Sequence, residues 1–524
     1  MRTLIVLFAL LASPKAFAQV PAYWQQRVDF RMVAQLDDQR HRVQGHAQIK
    51  YVNNAPDSLA FIWFHCWPNA YKDGKTAFAK QLTNERGGKA RLRAMRGKGW
   101  IDSLSFLVDG IPAGMEAHPL WNDVVKLNLP KPLHSGDSIL IETPFVVQLP
   151  TYGSRSGHDG RSYMICQWYP KPAVYDRKGW HPMPYLDRGE FYNDYGSYDV
   201  RITLPGSYVV AATGVLQTND ERARYTALGD RNRAVEKLDA RYRNDSAQKT
   251  LHFVADNVTD FAWFADKDFI IEHDTLARAG AEAVDVFAFH HPTSDEPWQR
   301  SCSYIKDALR FYSASLGPYA YPVAQAVEGP RNDMSGGMEY PMITLVTMPG
   351  APDSTLDVVI SHEVGHNWFP MMVGSNERNF AWMDEGFNTW YEHMYSAEKY
   401  RSFGGANNYG IPDYARNRGA DQLRALMYRV LKTLDASRTP INTPSADFRS
   451  DEDYGSVEYD KAALWLYALE KEVGKEPLLK AMRRYFEEWK FRHPYPEDFR
   501  ASLEAALGRD LSAFFARLEA KGPL

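Results

Sequence analysis

The hydrophobic pattern changes character once along the chain, and that change constrains the fold more than any other feature. Up to about residue 271 the apolar residues fall in short β-type runs separated by turn residues. Examples are 47–52, 139–143, 198–204 ahead of Pro205-Gly206, and 251–254. Strand and turn repeated at this spacing predict a large sheet or sandwich assembly. Beyond about residue 272 helical periodicity takes over. A helix is predicted over 298–316, ended by Gly317-Pro318, because glycine terminates helices and proline cannot continue them. A strand follows at 343–346, then helices at 356–369, stopped by Pro370, and at 385–400. Further helices are predicted over 461–473, 478–489 and 496–507. The chain therefore reads as an α+β multidomain protein, with an all-β part over 19–271 and a mainly helical part over 272–524.

Composition narrows the class. The 524 residues are 44% hydrophobic and 24% charged, which excludes a disordered chain. Lys and Arg number 61 against 65 Asp and Glu, so the basic excess of a nucleic-acid binder is absent. A basic segment at 72–98 reads as a solvated surface loop rather than a binding patch. The one strongly apolar run, 4–12, is far short of the ~20 residues that span a bilayer, so no membrane span is predicted. With Arg2 before it and Ala16-Phe17-Ala18 after it, that run completes an export signal cut after Ala18. The expected location is periplasmic or extracellular. Cys66, Cys166 and Cys302 are far apart and odd in number, so buried thiols are expected rather than a disulfide framework.

The chemistry-bearing motif is His362-Glu363-Val364-Gly365-His366. Two His four residues apart lie one turn apart on one helix face, so both imidazoles can reach one metal ion. Glu363 lies near the same site and can serve as general base for a water. Glu385 stands 19 residues after His366, within Trp382-Met383-Asp384-Glu385-Gly386, and can bring a third ligand to one Zn2+. Glu392 follows two turns along the same face. It is a candidate acceptor for a ligand imidazole, with a solvated acid as the alternative.

These motifs resemble those of the gluzincin metallopeptidases, the family M1 peptidases that include aminopeptidase N and leukotriene hydrolase. Their pattern is H-E-x-x-H, eighteen residues, then the Glu of W-x-x-E-G, and the chain matches it in full. Gly336-Gly337-Met338-Glu339-Tyr340 is similar to the family's G-x-M-E-N, with Tyr340 in place of Asn. The resemblance implies that Glu339 binds a substrate's α-amino group, while the backbone around Gly336, Gly337 and Met338 pairs with the peptide. Physically, an ammonium entering a partly desolvated cleft needs such a carboxylate, and glycines beside a strand edge allow close backbone approach. Tyr459, within 454–463, matches the family's Y-x-K-G-A tyrosine, whose hydroxyl binds the tetrahedral intermediate; Ala462 stands where the family has Gly. Tyr454 is a weaker cleft candidate. Gln167 falls where the family places a Gln or Glu of the β domain against the amine, with a buried structural amide as the alternative. Met334 and Met338 are candidates for the pocket of the first side chain, although core packing is the commoner role of Met.

The resemblance further implies an N-terminal β saddle followed by a thermolysin-like helical peptidase domain. The expected function is a secreted zinc aminopeptidase acting on peptides with a free N-terminus, with no nucleic-acid partner. A zinc endopeptidase or other zinc hydrolase on the same scaffold is the alternative. A non-catalytic binding protein of the same fold is a third reading, disfavoured because Glu363 and all three ligands are present. The chain ends at Leu524 without the large C-terminal helical domain of many relatives, which predicts an open cleft that admits longer peptides. Oligomeric state is left open.

Overall fold

The computed structural model describes residues 23–524 except 96, 235–240, 279, 295, 331–335 and 402–417. The leader and Met334 lie outside the described residues. In the first long strand, β1 (Arg27–Asp37), Val28, Phe30, Met32, Ala34 and Leu36 are buried while the residues between them are not. Such alternation puts one face of a sheet against a core. β1 pairs antiparallel with β2 (Arg42–Val52), which pairs with β3 (Ser138–Gln148). On its other side β1 runs parallel to β4 (Gly196–Leu204), which pairs with β5 (Lys249–Val258). The order β5-β4-β1-β2-β3 forms the body of a nine-stranded sheet, and two four-stranded sheets belong to the same half.

Two segments of this half depart from expectation. The basic stretch is not a plain loop: it folds into the short helices Ala77–Asn84 and Gly88–Ala94, and Arg91 Nη1 pairs with Asp187 at 3.0 Å. The helix Asn219–Ala234 is polar on nearly every side and buries only four of its 16 residues, so no apolar stripe announces it.

The second half opens with strands that its helical pattern conceals. β6 (Ile270–Arg278) and β7 (Ala281–His290) form a hairpin, extended by β8 (Val323–Glu328), β9 (Gly337–Tyr340) and β10 (Ile343–Val346) in the order β6-β7-β8-β10-β9. Among the described residues β9 is thus an edge strand, paired on one side only, with Glu339 opposite Thr344. Helices α1 (Ser301–Ser315), α2 (Asp353–Gly365), α3 (Glu385–Lys399) and α4 (Ala462–Val473) follow, and Lys475–Trp489 and Pro496–Leu507 close the bundle. In α2 and α3 burial is continuous from Leu356 to Gly365 and from Glu385 to Ala397, so their polar residues face protein or a cleft rather than bulk water.

A continuous apolar core joins the two halves. Phe264 lies 6.2 Å from the Tyr340 ring, and Gln325 Nε2 donates to Ala212 O at 2.8 Å. The three cysteines are free and buried, and burial pushes the Cys66 thiol up to about 12. No helix among the described residues is long and apolar enough to cross a membrane.

Candidate metal centre and substrate cleft

His362 and His366 end α2, and Glu385 begins α3. The two helices pack so that the ligand atoms of all three side chains lie within 4.8 Å of one another. Gly365 permits this packing: a Cβ there would fall 2.2 Å from Asn388 Oδ1 and 2.3 Å from the Tyr312 ring. Those two groups are part of the support. Tyr312 donates to Asn388 Oδ1 at 2.8 Å, and Asn388 Nδ2 donates to His362 O at 2.6 Å.

Both imidazoles are oriented through Nδ1. His362 Nδ1 lies 2.7 Å from Glu392 Oε2, which places Glu392 against the ring as its spacing suggests. His366 Nδ1 lies 2.9 Å from Phe369 O and 2.7 Å from Asp384 Oδ1. With acceptors at both Nδ1 atoms, the ring protons belong there and the Nε2 lone pairs turn inward. They meet Glu385 Oε2 at 3.3 and 3.4 Å. Three electron-pair donors facing one another repel unless a cation stands between them. Proton affinities report the same demand. Burial alone would lower His362, yet Glu385 and Glu392 raise it to about 10. Burial alone would raise Glu385, yet the two imidazoles hold it well below the usual carboxylate range. A two-His, one-carboxylate donor set fits Zn2+. Glu339, His366 and Asp384 also approach within 4.8 Å, but that trio shares His366 and offers only one imidazole.

Around this centre lies a cleft of about 650 Å³. Gly336, Gly337, Met338 and Glu339 form one wall, and Ser456 and Tyr459 are on another. Glu363 packs directly on the β9 backbone, where a Cβ on Gly337 would fall 1.7 Å from its Oε1. Burial raises the Glu363 carboxyl to about 7, against the pull of His362 and His366. Glu339 is 5% exposed, and its Oε1 has no hydrogen-bond partner among the described residues. Tyr459 donates to Glu385 Oε1, and its ring stacks over His362 at 6.0 Å. Burial and Glu385 raise the phenol far above its ordinary value, so the hydroxyl keeps its proton. Gly386 meets Ala462 here, with 2.5 Å between a Cβ at 386 and that of Ala462, so only small residues fit at this crossing.

Other sequence candidates stand outside this cleft. Gln167 Nε2 lies 3.4 Å from the Tyr340 hydroxyl in a narrow gap behind Glu339, and does not line the metal cleft. Tyr454 is buried edge-on against Tyr459 at 6.3 Å. The β half does reach the cleft, through Glu190. Its carboxylate pairs with Arg155 while Oε2 is left without a hydrogen-bond partner. No local motif marks Glu190. The Asp384 contact to His366 was equally unmarked, although its position beside Glu385 could have suggested it.

Fold and site together join a β-rich domain to a helical one whose two-His, one-Glu donor set could hold a metal ion. Residues 304–518 match the family model described as the peptidase family M1 domain. Among curated relatives, it is 27% identical over 202 residues to a leukotriene A-4 hydrolase homolog of Botryotinia fuckeliana, covering 37% of this chain and 29% of that protein. It is 29% identical over 228 residues to aminopeptidase B of Rattus norvegicus, covering 42% and 31% respectively. The matched region thus spans less than a third of either relative. In fold, an M1 zinc metallopeptidase from Deinococcus radiodurans matches 95% of this chain and 94% of its own, with a TM-score of 0.62 at 15% identity. Legionella pneumophila aminopeptidase A in complex with aspartic acid matches 95% of this chain and 50% of its own, with a TM-score of 0.63 at 15% identity. These structures share the fold, a β-rich domain followed by a helical one.

Proposed function

We propose that the protein is a zinc-dependent aminopeptidase that releases N-terminal residues from peptides. The observation that carries this reading is Glu339: a buried carboxylate with an unpaired oxygen, on an edge strand, within reach of the metal centre. A buried unpaired acceptor is costly unless a ligand satisfies it, and a substrate ammonium does so with a charge-assisted hydrogen bond. The free edge of β9 offers backbone groups to an extended peptide at the same time.

Zn2+ held by His362, His366 and Glu385 would polarise the scissile carbonyl and acidify a water. Glu363 takes the proton of the attacking water and returns it to the leaving amine. Its burial against Gly337 suits it to both halves of that transfer, because a carboxyl raised toward 7 both accepts and gives a proton near neutrality. Tyr459 turns its hydroxyl from Glu385 to the developing oxyanion, a donor position worth ~3–4 kcal/mol of barrier. Glu339 fixes the ammonium, so the bond presented for cleavage is the first one.

Export through the 1–18 leader belongs to the same proposal. Mass analysis of the mature protein is expected to give Gln19 as the first residue. For the activity, release of p-nitroaniline from aminoacyl reporters is expected to stop with a chelator, return with Zn2+, and fall at least ~100-fold in Glu363→Gln. Full activity in Glu363→Gln would overturn the proposed base.

A further inference from the structure

We infer that the cleft selects peptides carrying Lys or Arg side chains near the N-terminus, with Glu190 on the inner wall and Glu452 at the rim as the selecting groups. The inference rests on the aminopeptidase reading and names its substrate class. Eight carboxylates line the cleft, and no Lys or Arg does so among the described residues. Four of the eight surround the metal centre. The other four are Glu190, Asp451, Glu452 and Asp460.

Nearby cations do not balance them. Arg155 pairs with Glu190, and Arg188 Nη1 lies 2.8 Å from Asp451 Oδ1 while also serving Glu85; Arg91, 4.0 Å from Asp451 Oδ2, is matched by Asp187 at 3.0 Å. A bound divalent ion counts for two charges, and a substrate ammonium, Arg155 and Arg188 for one each. Three carboxylates remain unmatched, and two remain when Asp460 is set aside. Glu452 is exposed on the cleft wall, and its carboxylate has no ion-pair or hydrogen-bond partner among the described residues. The negative charge also reaches deep. Glu190 is 7% exposed and Glu339 5%; both line the same cleft, and each keeps one oxygen without a hydrogen-bond partner among the described residues.

A concave site with protein walls focuses such a field, so it favours cations beyond the single ammonium every peptide carries. A peptide with acidic side chains would bring like charges together inside it. At contact range each pair contributes roughly 1 kcal/mol even in water, about fivefold in affinity, and more near protein.

The test is binding to zinc-loaded Glu363→Gln protein, in which proton transfer is disabled, by isothermal titration calorimetry. The probes are Ala-Lys-Lys, Ala-Gln-Gln and Ala-Glu-Glu, each as the C-terminal amide, so only side-chain charge differs. The lysine peptide is expected to bind at least about tenfold tighter than the glutamate peptide at low salt, with the glutamine peptide between. The gap is expected to shrink about threefold or more in 0.5 M NaCl, where screening is strong. Adding Glu452→Gln is expected to narrow it about threefold at low salt. Equal affinities, tighter binding of the glutamate peptide, or a gap indifferent to salt and to Glu452→Gln would overturn the inference. Wild-type cleavage of Ala-Gln-Gln amide separates this outcome from the aminopeptidase reading, which needs only that the neutral peptide be cut.

Discussion

The contact between Gly337 and Glu363 turns the geometry of the cleft into a sharp expectation for Gly337→Ala. The added methyl would stand 1.7 Å from Glu363 Oε1, 2.2 Å from its Cδ and 2.7 Å from its Cγ. Ordinary contact begins near 3.4 Å, so the carboxylate must move by roughly 2 Å. That movement is available to the end of a flexible side chain, and β9 is a strand in which alanine is tolerated. The fold is therefore expected to survive, with a loss of about 1 kcal/mol or less. Catalysis is not so tolerant. A displacement of about 1 Å at a reacting group costs on the order of 100-fold, near 2.7 kcal/mol of barrier. Steady-state kinetics on an aminoacyl p-nitroanilide should show kcat down by 100-fold or more, while KM changes less than about threefold. Gly336→Ala is the matched change, since a methyl there meets nothing within 4 Å among the described residues, and its cost should be at least about tenfold smaller. A Gly337→Ala protein with more than a tenth of wild-type kcat, or equal damage at both positions, would refute the reasoning.

Two further expectations follow from contacts elsewhere. Glu392→Gln removes the charge that orients His362, so competition with a zinc chelator should show metal affinity reduced ~10–100-fold with the fold retained. Asp176 is held ionised across the two halves: burial opposes the charge, but His181 at 2.9 Å, Tyr495 at 2.5 Å and the Lys178 amide at 2.8 Å outweigh it. Its carboxyl is lowered from 3.8 to about 2, so the stabilisation is complete above pH ~4 and disappears as the pH falls toward 2. Denaturation of Asp176→Asn should show a deficit of about 2 kcal/mol at pH 6 that is about halved near pH 3 and closes as the pH falls through 2; a deficit independent of pH would contradict the assignment.

What could be read from the sequence was whatever repeats at a local period. The His362, His366 and Glu392 positions follow helix geometry, and the structure brings Glu385 to them at 3.3 and 3.4 Å. The strand at 198–204, observed as β4, and the stop at Gly317-Pro318 were legible for the same reason. Residues whose placement depends on packing between distant segments were not. Glu190 reaches the cleft only because the β half docks against β9 and the 451–461 segment, and nothing near it in the chain marks that contact. Likewise the first hairpin of the helical half, β6 and β7, carries polar residues on its outer stretch that blur its period. The space requirement at Gly337 lies between a strand and a helix, so no single segment encodes it.

The central claim is that this cleft removes residues from a free N-terminus. Mass spectrometry of a ten-residue peptide with a free amine, and of its N-acetylated twin, followed through time with the zinc-loaded enzyme, tests it most directly. The free peptide is expected to shorten from its N-terminus one residue at a time, while the acetylated twin stays intact. Internal fragments appearing first, or equal cleavage of both peptides, would contradict the account.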